Sequence, residues 1–216
     1  MTTNQTIWIV RHGTREDFFD PSWASKAARP HDPGLTPHGL RQAQEVGLRM
    51  IGQKVDGIYA SPFLRTIQTA SQIAEALKLS VRLEAGLGES LPHLSGPPQI
   101  VDPHQQRADF PRLDLSYRSI HTPAFPEPDA QAMQRTGETI QRIADQRPDA
   151  NLIFVSHASP IAGAVRYLLK SRDRVQVPLC AVFTLTRNGQ GWSLQESADI
   201  SHLSDPQTSL RYAWTC

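Results

Sequence analysis

Arg11, His12, Arg15, Arg65, Glu89 and His157 share one kind of position in this 216-residue chain: each stands just beyond a short apolar run, or in the first turn of the helix expected after it. A histidine after such a run is most often structural when taken singly. The coincidence of position is what gives these residues weight together. Two histidines, several arginines and one carboxylate suit phosphoryl transfer. Guanidinium forks neutralise and orient phosphate oxygens, whose charge is redistributed in the transition state. A neutral imidazole can attack phosphorus, and the cationic surroundings favour that neutral form. A carboxylic acid can protonate the departing alkoxide and then activate water. This chemistry needs no metal, and the two histidines have no third ligand at a recognisable metal-binding spacing.

The elements that must position these groups begin with Ile7-Trp8-Ile9-Val10, a run too short for a helix and rich in β-branched and aromatic side chains, which reads as a buried strand. Val55 to Ala60, Val81 to Leu83 and Leu152 to Val155 repeat the pattern. In a mainly parallel sheet all these strands end at one edge, where open α/β folds bind ligands. Gly13 is expected to let the backbone turn sharply after the first strand. Three cap-plus-proline pairs, Thr36-Pro37, Ser61-Pro62 and Ser159-Pro160, mark expected helix starts. The first of these helices should end near Gly52. The second carries an apolar stripe of Phe63, Ile67, Ala70, Ile73 and Leu77, with Arg65 off the stripe and close to the strand end. Another helix is expected from Ala130 to Arg147, ended by Pro148.

From Ser90 to Asp129 the periodicity dissolves into a segment with eight of the chain's seventeen prolines. It reads as a cap over the strand ends, because long irregular excursions in compact domains usually carry function. Phe110, Arg112, Tyr117, Arg118, His121 and Phe125 are candidate substrate contacts there, with ordinary surface loop as the competing reading. Phe18, Phe19 and Trp23 either pack or wall a pocket. Ala181 to Thr186 and Trp192 to Gln195, joined around Asn188-Gly189, read as an antiparallel hairpin at the sheet edge. The tail from Ser201 to Cys216 has no clear pattern. The remaining histidines, His31, His38, His93, His104, His121 and His202, fall where a solvated role is expected.

A composition of 39% apolar and 20% charged residues with a net charge of +1 is that of a soluble globular protein. This balance argues against a dedicated nucleic-acid surface or a polybasic membrane surface. Cys180 and Cys216 form neither a metal-ligand spacing nor a disulfide framework, so a cytoplasmic setting is the default. No run reaches transmembrane length, and Met1-Thr2-Thr3-Asn4-Gln5 lacks the pattern of a secretory leader.

Three segments, Arg11-His12-Gly13 with Arg15, then Ser61-Pro62-Phe63-Leu64-Arg65-Thr66-Ile67-Gln68-Thr69-Ala70, then Ser156-His157-Ala158-Ser159, occur in an order that resembles the histidine phosphatase superfamily, the phosphoglycerate mutase-like proteins. The likeness runs from Ile7 to about Leu169. It implies a three-layer α/β/α sandwich with a mainly parallel sheet, as one domain over residues 1–216 with a cap insertion at about 90–129. It also implies His12 as nucleophile, Arg11, Arg65 and His157 as the phosphate pocket, and Arg15 as an additional phosphate ligand. Glu89, through Leu87-Gly88-Glu89, matches the proton donor, although Ser90-Leu91 follow where many relatives have an aromatic. Glu84 and Asp17 are the alternative acids. Arg15-Glu16-Asp17 after Thr14, Asp32-Pro33-Gly34-Leu35-Thr36 and Leu115-Ser116-Tyr117-Arg118 look more like the phosphatase branch that includes ecdysteroid phosphatases and suppressors of T-cell receptor signalling. The implied activity is metal-independent hydrolysis of a phosphomonoester, a small molecule or a phosphopeptide, without a cofactor. A phosphoglycerate mutase and a non-catalytic phosphate-binding scaffold are the competing readings.

Overall fold

The computed structural model describes residues 4–189 and 191–216, so the expectation about a leader rests partly on residues outside the described set. In chain order the elements are β1 (Gln5–Arg11), α1 (Trp23–Lys26), α2 (Pro37–Arg49), β2 (Gly57–Ala60), α3 (Leu64–Leu77), β3 (Val81–Leu83), α4 (Asp129–Gln146), β4 (Leu152–Ser156), α5 (Ala158–Leu169), β5 (Gln176–Val177), β6 (Val182–Asn188), β7 (Gly191–Asp199), α6 (Pro206–Arg211) and β8 (Trp214–Thr215). Six strands form one sheet in the order β3-β2-β4-β1-β6-β7. The first four of these pair in parallel, and β6 and β7 form the expected antiparallel hairpin at one edge.

The unbroken apolar runs are explained by burial of both faces of the sheet. Ile7, Ile9, Leu152 and Phe154 pack with Ile140 of α4 and Ile161 and Val165 of α5. Their alternating neighbours Trp8, Val10, Ile153 and Val155 pack on the other side with Val46 of α2 and Ala70 and Ile73 of α3. The result is the expected three-layer α/β/α arrangement. Among the described residues, no helix is long and apolar enough to cross a membrane.

Register explains why the reactive residues share an edge. In the parallel ladder Arg11 lies opposite Ser156, and Ala60 lies opposite Val155. His12, Ser61 and His157 are the next residues out. The ladder continues one step further, since His12 N–H donates to the Ser156 carbonyl at 3.2 Å and Ser61 N–H to the Val155 carbonyl at 3.0 Å.

Helix starts differ from the expected pattern in two of three cases. Thr36 caps α2 as read, its hydroxyl accepting from Gly39 N–H at 3.0 Å. Ser61 does not cap α3, which begins at Leu64, and the Leu64 N–H instead donates to the Asp32 carboxylate at 2.6 Å. A side chain remote in sequence therefore satisfies this helix end. Ser159 lies inside α5, and Pro160 fits in its first turn because an N–H there has no intrahelical acceptor.

Gly13 also has a different role from the one expected, since it is absent from the glycines with positive φ, Gly52 and Gly191. Its lack of a side chain instead admits α2, because a Cβ on Gly13 would lie 2.6 Å from the Gly39 carbonyl oxygen. The tail contains structure that the sequence reading passed over. Asp205 caps α6 ahead of Pro206, and β8 pairs antiparallel with β5.

Between Gly88 and Pro128 there is no helix or extended strand, as expected of the irregular segment. It is tied to the rest of the fold at several points, among them Asp32 in the loop before α2 and Glu84 after β3. Val101 N–H donates to Asp32 at 2.8 Å, and residues 117–121 converge on Glu84 just after β3.

Candidate active site

His12 is buried immediately after β1, and its Nδ1 lies 2.8 Å from the Gly13 carbonyl oxygen. A carbonyl can only accept, so this contact places the proton on Nδ1 and leaves the Nε2 lone pair available. The loop beyond is held from α2, where Gln42 accepts from both the N–H and the hydroxyl of Thr14 at 3.0 and 2.8 Å. Burial, followed by the charges of Arg65 and Arg11, holds His12 well below its ordinary range. It is therefore neutral at neutral pH.

Arg65 projects from the first turn of α3 and is fully buried. One Nη donates to Glu89 Oε2 at 3.3 Å, the other to the His31 carbonyl at 3.3 Å, and the guanidinium lies 4.7 Å above the Phe63 ring. Arg11 donates to the carbonyls of Val177 at 2.6 Å and Tyr212 at 2.8 Å. Burial lowers both arginines to about 10, with Glu89 opposing that shift, so both remain cationic at neutral pH.

His157 is the residue just before α5, with Nε2 2.8 Å from the Ser61 hydroxyl and Nδ1 3.3 Å from Glu89 Oε2. Burial pulls it down to about 4 against the opposing pull of Glu89. Burial pushes Glu89 up, but His157, Arg65 and Arg15 outweigh that effect and hold the carboxyl well below the usual range. The Glu89 side chain nevertheless keeps 16% of its surface exposed, so the otherwise closed cluster opens at this residue. Arg11 Nε and Arg65 Nε are buried without a hydrogen-bond partner, and His157 Nδ1 has only the 3.3 Å approach of Glu89 Oε2. Two orphaned guanidinium N–H groups on two expected phosphate ligands suit a site that takes an anion.

The structure thus brings together His12, Arg11, Arg65, Glu89 and His157. Arg15 stands slightly apart: Asp17 holds its Nε and Nη2 at 2.9 and 2.6 Å, and its guanidinium lies 4.6 Å from the Phe18 ring centre. Its charge still acts on His12 and Glu89.

Both alternative acids are engaged elsewhere. Asp17 is the partner of Arg15. Glu84 is buried and accepts from Gly86 N–H, Tyr117 hydroxyl, Ser119 hydroxyl, Ile120 N–H and His121 N–H at 2.5–3.3 Å. It anchors the irregular segment. The sequence spacing offers the two histidines no third metal ligand, yet the fold brings Glu89 beside them, with ligand atoms of His12, Glu89 and His157 within 4.8 Å of one another. The neighbouring guanidiniums oppose a cation there.

Among the candidate substrate contacts, Arg112 pairs with Glu75 at 2.7 Å, Tyr117 binds Glu84, and Arg118 donates to carbonyls of its own loop. Phe125 does line a cavity beside Glu89. Phe18 packs on Tyr212, with ring centres 4.5 Å apart. The sequence reading missed Ser61 as the partner of His157 and the two carbonyls that hold Arg11. Ser61 carried a signal, its place directly after β2. Val177 and Tyr212 carried none, being far away in the chain.

Comparisons with known proteins bear on the family. The model of the histidine phosphatase superfamily (branch 1) matches residues 7–200. The chain is 25% identical to the ecdysteroid-phosphate phosphatase of Drosophila melanogaster over 98% of its length, and it spans about a third (34%) of that protein. It is 26% identical to a probable phosphoglycerate mutase of Klebsiella pneumoniae, with 93% of this chain and 95% of that protein covered. The ecdysone phosphate phosphatase of Bombyx mori, solved with tungstate, superposes with a TM-score of 0.73 at 23% identity, covering 90% of this chain and 93% of that one. With four strand ends converging on one anion-shaped cluster and the family model matching nearly the whole chain, this protein belongs to the histidine phosphatase superfamily.

Proposed function

We propose that this chain is a metal-independent phosphomonoesterase that works through a phosphohistidine on His12. The observation that carries the reading is the Nδ1 contact of His12 with the Gly13 carbonyl, which leaves Nε2 as a neutral nucleophile among buried cations. Arg11 and Arg65 bind the phosphoryl oxygens through Nε donors that lack protein partners, and His157 joins them through Nδ1, which Glu89 only approaches at 3.3 Å. Arg15 adds charge and, on release from Asp17, a further fork. The fold acts as one domain over residues 1–216, with residues 90–129 as its cap.

Glu89 is the proton donor. Its carboxyl is ionised in the free site, so it needs a source of protons. A phosphomonoester has a second pKa of about 6 and enters partly as a monoanion carrying one proton. The negative charge of the bound phosphoryl group also offsets the guanidinium field that holds Glu89 down. The substrate proton passes to Glu89. His12 Nε2 then forms a bond to phosphorus while the ester P–O bond breaks, and Glu89 protonates the leaving oxygen. Water next attacks the phosphohistidine, Glu89 takes its proton, the P–N bond breaks, and inorganic phosphate leaves.

Phosphate release from 4-nitrophenyl phosphate in the presence of a chelator tests this reading. Turnover that is abolished in His12→Ala is the expected result, and full activity in that variant refutes it. Incubation with a phosphoglycerate tests the rival reading, because isomerisation without release of phosphate marks a mutase.

A further inference from the structure

Beside Glu89 lies a cavity of about 450 Å³, walled by Phe63, Ile100, Phe125 and the prolines Pro62, Pro97 and Pro98. Among the described residues Glu89 is its one charged lining residue, Ser95 and Thr122 supply its hydroxyls, and no lysine, arginine or histidine lines it. Phe63 connects this space to the cationic cluster. Its ring carries the Arg65 guanidinium at 4.7 Å and meets the His157 ring edge-on at 5.2 Å.

A phosphoryl group bound between His12, Arg65 and His157 has its ester oxygen toward Glu89, if Glu89 is the proton donor, and the alcohol portion then enters this cavity. We infer that the site selects monoesters of a single uncharged, largely apolar alcohol, aromatic or alicyclic, and rejects substrates whose alcohol carries a carboxylate. The inference rests on the phosphatase reading above.

Two physical effects favour the apolar group. A ring buried against phenylalanine, isoleucine and proline leaves water, which is worth about ten- to a hundredfold in affinity. A carboxylate in the same place would lose its hydration without gaining a cation, and would face the Glu89 carboxylate. The guanidiniums close to the cavity are already engaged: Arg65, stacked on the Phe63 ring, pairs with Glu89, and Arg135, which donates to the Ala85 and Gly88 carbonyls of the cavity wall, pairs with Glu127. The volume is at the small end of ligand pockets, which suits a compact ring system rather than a peptide.

Binding of two non-hydrolysable phosphonates tests the cavity independently of turnover. By calorimetry, benzylphosphonate should bind at least tenfold more tightly than 3-phosphonopropionate. Ile100→Lys should narrow or reverse that preference, and Phe125→Ala should weaken benzylphosphonate alone. Equal binding of the two phosphonates, or tighter binding of the carboxylate, overturns the inference.

Hydrolysis of cyclohexylmethyl phosphate and phosphoserine, whose leaving groups are both primary alcohols, separates the two claims. Preferred hydrolysis of the cyclohexylmethyl ester supports both. Preferred hydrolysis of phosphoserine overturns the cavity inference and leaves the phosphatase reading standing. No turnover of either ester, with the phosphonate preference intact, refutes the phosphatase reading while supporting the cavity's selectivity.

Discussion

Replacing Glu89 with glutamine should move oxyanion binding and catalysis in opposite directions. Glu89 lies 3.3 Å from both Arg65 and His157, and its ligand oxygen is within 4.8 Å of the corresponding nitrogens of His12 and His157. An oxyanion held by these groups is taken to lie on the order of 5 Å from the carboxylate for the Coulomb estimate. Like charges at that distance repel by about 1 kcal/mol at the dielectric of water and about 3 kcal/mol at the effective value of about 20 suited to partly buried pairs. Glu89→Gln removes that repulsion and also releases Arg65 from a competing anion. Tungstate or phosphate should then bind about tenfold to a hundredfold more tightly by calorimetry. Turnover of an alkyl phosphate should fall about a hundredfold to ten-thousandfold, because the amide cannot protonate the alkoxide. An aryl phosphate, whose leaving group needs little protonation, should lose much less. Unchanged or weaker oxyanion binding, or equal losses for the two esters, would refute the reasoning.

Other expectations follow from the same contacts. Because burial lowers His157 to about 4, the unfolded chain takes up a proton there between pH 6.5 and about 4 that the folded protein does not. Stability at this residue is therefore full above pH 6.5 and falls by about 3 kcal/mol as pH drops through that window. Urea unfolding of the wild type and His157→Gln over this range measures it, and parallel curves would count against the shift. The lowered His12 predicts that kcat/KM for an aryl phosphate shows no loss attributable to a histidine titrating near 6.5. Glu84→Ala should cost about 2–4 kcal/mol by chemical denaturation and raise KM, since five donors from the β3 end and the irregular segment lose their acceptor. In Gly39→Ala the new Cβ would lie 2.2 Å from the Thr14 carbonyl oxygen, so a loss of about 1–3 kcal/mol with reduced activity is expected from thermal unfolding and assay.

The strands were legible because burial on both faces leaves an unbroken apolar run, as in Leu152–Val155, and the parallel edge followed from where those runs stop. Helix starts were less legible. Serine before proline is a cap signal, yet Ser61 is drawn to His157 and its helix end is served by Asp32, which is 32 residues away in sequence from Leu64. A local motif cannot register a competing partner supplied by another part of the chain. The tail shows a different limit: β8 is defined only by its pairing with β5.

For the site, residue type and strand-end position by themselves singled out Arg11, His12, Arg15, Arg65, Glu89 and His157 as candidates, because only a few side chains can grip phosphate and chain order sets which loops reach the sheet edge. Tertiary structure decided how those residues are used. It set the His12 tautomer through the Gly13 carbonyl, occupied Glu84 with the irregular segment, turned Arg15 toward Asp17, and brought the Val177 and Tyr212 carbonyls to Arg11. Those outcomes depend on distances of a few ångströms between residues far apart in the chain, and such distances exist only once the sheet has stacked its strands in register.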